Sequence, residues 1–173
     1  MREGYHNLHI ITVDGQDRIY EDGGILYEDG VITHVGDRAY IEGKAKELYI
    51  ELKDGKGRYL FPGLINTHTH LYQDIMKGMG SDLSLEEWFP KSMAPAGAVL
   101  RERHVAAGVK LGLAEAIRCG VTTVADYMQL QPVKGLGKLE LDIAKDMSVR
   151  MVYGRGYRDI GKKELVEKAE DVF

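Results

Sequence analysis

Along the first sixty residues, short apolar or alternating runs are separated by polar turn pairs. The runs are "LHIITV" (8–13), "GILYE" (24–28), "VITHVG" (31–36) and "ELYIEL" (47–52), and the pairs are Asp14-Gly15, Asp22-Gly23, Asp29-Gly30 and Asp54-Gly55. Asp-Gly suits tight hairpin turns, because both central positions tolerate positive φ. This pattern predicts a small antiparallel β unit over residues 1–60.

After Tyr59 the rhythm lengthens. "LFPGLINTHTH" reads as a strand with a Pro-Gly break near its start, and "LSLEEWF" (83–89) as a short helix. Residues 101–120 carry a helical period with Val105, Val109, Leu113, Ala116 and Ile117 on one face and Gly120 at the stop. "VTTVADY" (121–127) and "VRMVYGRG" (149–156) read as strands, and "LELDIAKDM" (139–147) and "KKELVEKAEDV" (162–172) as helices. Strand–helix alternation of this kind predicts an α/β fold with a parallel sheet or barrel over 61–173. A closed (β/α)₈ barrel needs about 250 residues, and only about three βα units are visible, so the chain is expected to be the front part of a larger protein.

Composition narrows the partners. Lys and Arg total 23 against 27 Asp and Glu, a net charge of −4, with no basic run, so nucleic acid is not an expected partner. No apolar run approaches the length that crosses a bilayer, and the start lacks a signal-peptide pattern, so no membrane association and a cytoplasmic location are expected. The single cysteine, Cys119, excludes an internal disulfide framework and is expected to be a small buried residue.

The candidate chemistry lies at "FPGLINTHTHLYQ" (61–73). Strand alternation sends Asn66, His68 and His70 to one face and Ile65, Thr67 and Thr69 to the other, where the threonines are expected to pack against helices. Two imidazoles on one face can converge on a cation, and the carboxyl end of a barrel strand is where such a site belongs. A packing role is the alternative for an isolated His-x-His. His6, His9, His34 and His104 fall in the β unit or in a helix turn, and are expected to be surface or packing residues.

"PGLINTHTH", preceded by "EDGVITHVG" and followed by "GMGSDLSLEEWF", "GLAEAIRCGVTTVADY" and "RMVYGRGYRD", resembles the N-terminal part of the metal-dependent amidohydrolase superfamily. Within it, the chain is similar to the branch of guanine and 8-oxoguanine deaminases, adenosine-type deaminases and triazine chlorohydrolases. The resemblance implies that residues 1–60 are part of a β-sandwich and that 61–173 begin an incomplete TIM-type barrel.

It further implies one Zn²⁺ or Fe²⁺ per complete active site, held by His68 and His70 with a further histidine and an aspartate from later strands. Hydroxide supplied at the metal would attack an electron-poor ring carbon, and a glutamate and another histidine, also from later strands, would move protons. No catalytic proton-transfer group is expected within this chain, which alone is expected to be inactive. Gln73, Trp88 and Arg155 match substrate-pocket positions of relatives; the competing roles are a loop amide, a loop anchor and a surface ion pair. Asp126 is either a residue orienting a ligand or a cap for the following loop, and Arg158 and Asp159 are weaker candidates. Where adenosine-type deaminases carry an acid, "MAPAGAV" offers Ala96 and Gly97, which favours a free base or another small heterocycle over a nucleoside. The implied partner is thus a small heterocyclic substrate, with homo-oligomers common among relatives. Loss of chloride in place of ammonia, or a non-catalytic chain that docks a partner at its open sheet edge, are the alternatives.

Overall fold

A computed structural model describes residues 1–129, 131 and 134–157. They form two compact units, divided between Pro62 and Gly63.

The first unit is a four-stranded sheet of order β3-β2-β1-β4, with β1 Arg2–Ile11, β2 Ile19–Glu28, β3 Val31–Asp37 and β4 Leu52–Leu60. The β2–β3 hairpin turns at Asp29-Gly30, whose φ angles of +50° and +82° are those its tight turn requires. Asp14-Gly15 lies in the β1–β2 connection, but Asp22-Gly23 and Asp54-Gly55 lie inside β2 and β4 and turn nothing.

The sheet is mixed and not purely antiparallel, because β4 runs parallel to β1. A parallel return needs a crossover, and helix α1 (Arg38–Glu47) lies between β3 and β4. Its N-terminus is capped by Asp37, whose carboxylate accepts from Tyr40 N at 2.9 Å. The helix buries only Ile41 and Ala45, which join Leu26 in a small core. "ELYIEL" is therefore a junction and not a strand: Glu47 ends α1, Tyr49 has φ +56°, and Leu52 opens β4.

The second unit holds three parallel strands in the order β5-β6-β7: β5 Leu64–Thr69, β6 Val121–Met128 and β7 Arg150–Arg155. A 3₁₀ turn (Leu71–Met76) follows β5 and leads to helix α2 (Leu85–Trp88), a π turn (Phe89–Met93) and helix α3 (Ala94–Val99). Helices α4 (Glu102–Arg118) and α5 (Leu136–Asp146) make the crossovers to β6 and β7. The segment 162–172, expected as a helix, lies outside the described residues.

Val105, Val109 and Leu113 of α4 are fully buried with Leu71 and Tyr72 of the turn and Val124 and Met128 of β6. Ile117 does not share that burial, being 45% exposed, and Cys119 is exposed instead of buried. Ala116 packs against the core, so Ile117, one position on, is turned away from it, and Cys119 follows the end of α4. Gly108 and Gly112 lie on the packed face; a Cβ on Gly108 would stand 2.6 Å from Tyr72 O. The absence of side chains here lets the helix backbone close on the turn that follows β5. No helix of the described residues is long and apolar enough to cross a membrane.

Candidate metal centre

The pairing of β5 with β6 slips by one residue: Asn66 opposes Val124 and Thr69 opposes Asp126, setting three steps on β5 against two on β6. Such an extra residue breaks strict alternation and re-aims side chains at a strand end. Asn66 and Thr69 consequently share the half-buried face, while Thr67 is exposed among the described residues. Across the slip, which takes in His68, the His68 and His70 rings come together edge to face, with centroids 4.8 Å apart.

Strand β6 orients His70 by two contacts. The ring Nδ1 lies 2.6 Å from Tyr127 O. A carbonyl only accepts, so Nδ1 carries the hydrogen and Nε2 presents its lone pair. The side-chain amide Nε2 of Gln129 stands 3.1 Å from that lone pair, as a donor would. The second contact is to the next residue: Leu71 N donates to Asp126 Oδ1 at 2.7 Å. A backbone carbonyl behind Nδ1, leaving Nε2 as the electron-pair donor, is the support that metal-bound histidines use. The support suits His70 to a divalent cation, with the His68 ring in edge-to-face contact beside it.

Gln73 joins the same polar chain. Its Nε2 donates to Tyr72 Oη at 3.1 Å, and Tyr72 Oη donates to Gln129 Oε1 at 2.9 Å. Tyr72 is fully buried, and burial pushes its hydroxyl up to about 12, so it stays a neutral donor. Trp88 is tied to its own loop, its Nε1 donating to Met79 O at 3.2 Å while its ring packs against the core. Arg155 opposes Met128 at the carboxyl end of the sheet, and its Nη1 donates to Gly156 O at 2.9 Å. Arg158 and Asp159 lie outside the described residues.

Of the other histidines, His6 and His9 approach Glu42 and Glu21, His34 stands near Tyr40, and His104 accepts from Arg101 N. Among the described residues no group of three His, Cys, Asp or Glu gathers to hold a metal. Residues that the local pattern did not single out are Tyr72, Tyr127, Gln129 and Glu140. Tyr127 acts through its backbone, and Tyr72 meets Gln129 across 57 positions, so no local signal marks them.

The amidohydrolase family model matches residues 59–171. The chain belongs to the amidohydrolase family. This amidohydrolase chain is 28% identical over 169 residues to the 5-methylthioadenosine/S-adenosylhomocysteine deaminase of Bacillus cytotoxicus, covering 98% of the chain and 38% of the relative. It is 38% identical over 120 residues to the 5'-deoxyadenosine deaminase of Methanosarcina mazei, covering 69% of the chain and 26% of the relative. Among solved structures, the zinc complex of atrazine chlorohydrolase from Arthrobacter aurescens TC1 superposes with a TM-score of 0.85 at 24% identity, over 98% of this chain and 40% of that one. Guanine deaminase from Bradyrhizobium japonicum superposes with a TM-score of 0.79 at 23% identity, over 99% of this chain and 38% of that one. The chain thus spans at most two-fifths of the length of these relatives.

Proposed function

We propose that this chain is the N-terminal part of a metal-dependent hydrolase that deaminates a small N-heterocycle, with His68 and His70 as two of the metal ligands. The observation that carries the reading is the edge-to-face approach of the two rings while Tyr127 O holds His70 Nδ1, which makes Nε2 the electron-pair donor, taken up in this structure by the Gln129 amide. When bound, the divalent ion, Zn²⁺ or Fe²⁺, supplies Lewis acidity and makes water a stronger nucleophile near neutral pH.

The chain's own residues bind and orient. Gln73, fixed by the Tyr72 hydroxyl, offers an amide that can pair with a ring nitrogen and a carbonyl together. Trp88 and Arg155 are the further residues that shape the substrate pocket in this reading. Residues 1–60 form part of a β-sandwich, and β5, β6 and β7 with their helices are the first strands of a (β/α)₈ barrel. The exposure of Ile65 (66%) and Val152 (65%) supports this, since the remaining strands would cover them. With two ligands, residues 1–173 alone turn nothing over.

Relatives named as adenosine-compound deaminases favour a purine ring. Helix α3, "APAGAV", lacks an acid that could bind ribose hydroxyls, which favours the free base. The chain is tested by Zn²⁺ titration: wild type binds, and His68→Ala and His70→Ala each abolish binding. Binding that survives both substitutions overturns the ligand assignment and leaves a chain that docks a partner at its open edge. Assay of a metal-loaded enzyme carrying this chain, against guanine, 8-oxoguanine, 5'-deoxyadenosine and a chlorotriazine, should release ammonia. Chloride release alone would make it a chlorohydrolase.

A further inference from the structure

Two acids with no evident role in substrate binding lie inside the second unit. Glu140 on α5 is fully buried and Asp126 on β6 is 2% exposed. Asp126 Oδ2 and both Glu140 carboxyl oxygens have no hydrogen-bond donor among the described residues. The Asp126 and Glu140 carboxyl groups act on each other directly inside the core that holds Val124, Met128, Leu136 and Ile143.

Two carboxylates cannot both be ionised side by side in such a place, because each loses its hydration and repels the other. One proton between them removes the repulsion and supplies Asp126 Oδ2 with a donor. Burial raises both groups, but only Asp126 already accepts a backbone N–H, from Leu71 at 2.7 Å, which favours its ionised form and places the proton on Glu140. Asp126 Oδ1 is already engaged: it accepts from Leu71 N, immediately after His70. The next residue of β6, Tyr127, holds the His70 ring. Glu140, Asp126 and the Leu71 amide thus form a continuous path from helix α5 to the end of β5.

We propose that Asp126 and Glu140 work as a singly protonated acid pair that positions His70: the Glu140 O–H donates to Asp126 Oδ2, and Asp126 Oδ1 then anchors the Leu71 N–H. The pair is a positioning device and touches neither substrate nor metal. Its consequence for metal binding rests on the ligand reading of His70; its existence does not.

The test uses the 173-residue chain without metal. Carbon-13 NMR of labelled Asp and Glu should show one protonated carboxyl at neutral pH, with a slowly exchanging Leu71 amide and the Nδ1–H tautomer of His70. In Glu140→Gln the amide takes over the donation. The protonated-carboxyl signal should vanish, while Leu71 protection and the His70 tautomer stay within about twofold of wild type. In Glu140→Leu, Asp126 loses its donor, and Leu71 exchange should accelerate about 10- to 100-fold.

A wild type with no protonated carboxyl, or one whose signal persists in Glu140→Gln, overturns the proposal. So does a folded Glu140→Leu variant with unchanged Leu71 exchange; should that variant not fold, the Glu140→Gln spectrum decides alone. Zn²⁺ binding that survives His70→Ala sinks the ligand reading and leaves these signals untouched, so the two failures are distinguishable. If both readings hold, Zn²⁺ affinity should fall about 10- to 100-fold in Glu140→Leu and recover in Glu140→Gln.

Discussion

Gly43 and Gly108 both sit inside helices, yet the same methyl group should have opposite effects at the two sites. A Cβ at Gly43 of α1 meets nothing within 4 Å. Alanine there gains helix propensity and should stabilise the first unit by about 0.8–1 kcal/mol. At Gly108 of α4 the same gain is opposed by contacts of 2.6 Å to Tyr72 O and 2.9 Å to Tyr72 C. These are backbone atoms and cannot swing aside, so either α4 or the 71–76 turn must retreat. Overpacking of this kind costs about 1–3 kcal/mol, and a rigid neighbour puts the cost near the upper end.

After the propensity gain, Gly108→Ala should destabilise the second unit by about 1–2 kcal/mol. Urea unfolding followed by the fluorescence of Trp88, the chain's single tryptophan and part of that core, reads the second unit. Amide exchange of the buried Leu26 reads the first. A Gly108→Ala chain as stable as wild type would show that the close approach of α4 to the turn is not what the glycine serves. The same retreat would move Gln73 and loosen His70, so Zn²⁺ binding should weaken alongside stability.

Burial beside Asp126 pushes Glu140 up to about 9 from an ordinary value of 4.5, and Tyr72, Asp74, Tyr153 and His70 are the other titratable groups that interact with the pair. The folded chain then holds a proton that the unfolded chain has released, so this contribution is full below pH 4.5 and is lost as pH rises towards 9. The slope is at most about 1.4 kcal/mol per pH unit, and denaturant melts across that window should show it flattened in Glu140→Gln. Tyr72→Phe removes the hydroxyl between Gln73 and Gln129 and should cost about 0.5–1.5 kcal/mol in the same melts. Leu113→Ala should cost about 2–5 kcal/mol, whereas Ile117→Ala, at an exposed position of the same sequence stripe, should stay within about 0.5 kcal/mol. Equal costs at these two sites would contradict the packed face described for α4.

Much of the second unit was legible in the residues because its signals are local and strong. The stripe Val105, Val109, Leu113 has the helical period, Gly120 supplies the positive φ at its end, and the β-branched run at 121–124 suits a buried strand. The first unit was less legible. Helix α1 buries only Ile41 and Ala45, too few positions to set a period, and only Asp37 as its cap announces it. Asp-Gly pairs are equally at home in a turn or in a strand where a neighbour crowds the backbone, so two of four misled.

By itself, the sequence determined that two histidines stand at the end of a strand, in a pattern that marks the amidohydrolase family. Alternation alone did not determine how they meet, because the slip between β5 and β6 overrides strict periodicity there. Tertiary structure alone decided which nitrogen of His70 presents its lone pair, since that depends on a carbonyl 57 residues away. It also decided that Glu140, an ordinary charged position in an amphipathic helix, is sealed against Asp126. A side chain's chemistry is written locally, but its solvent, its proton and its orientation come from neighbours that only folding supplies.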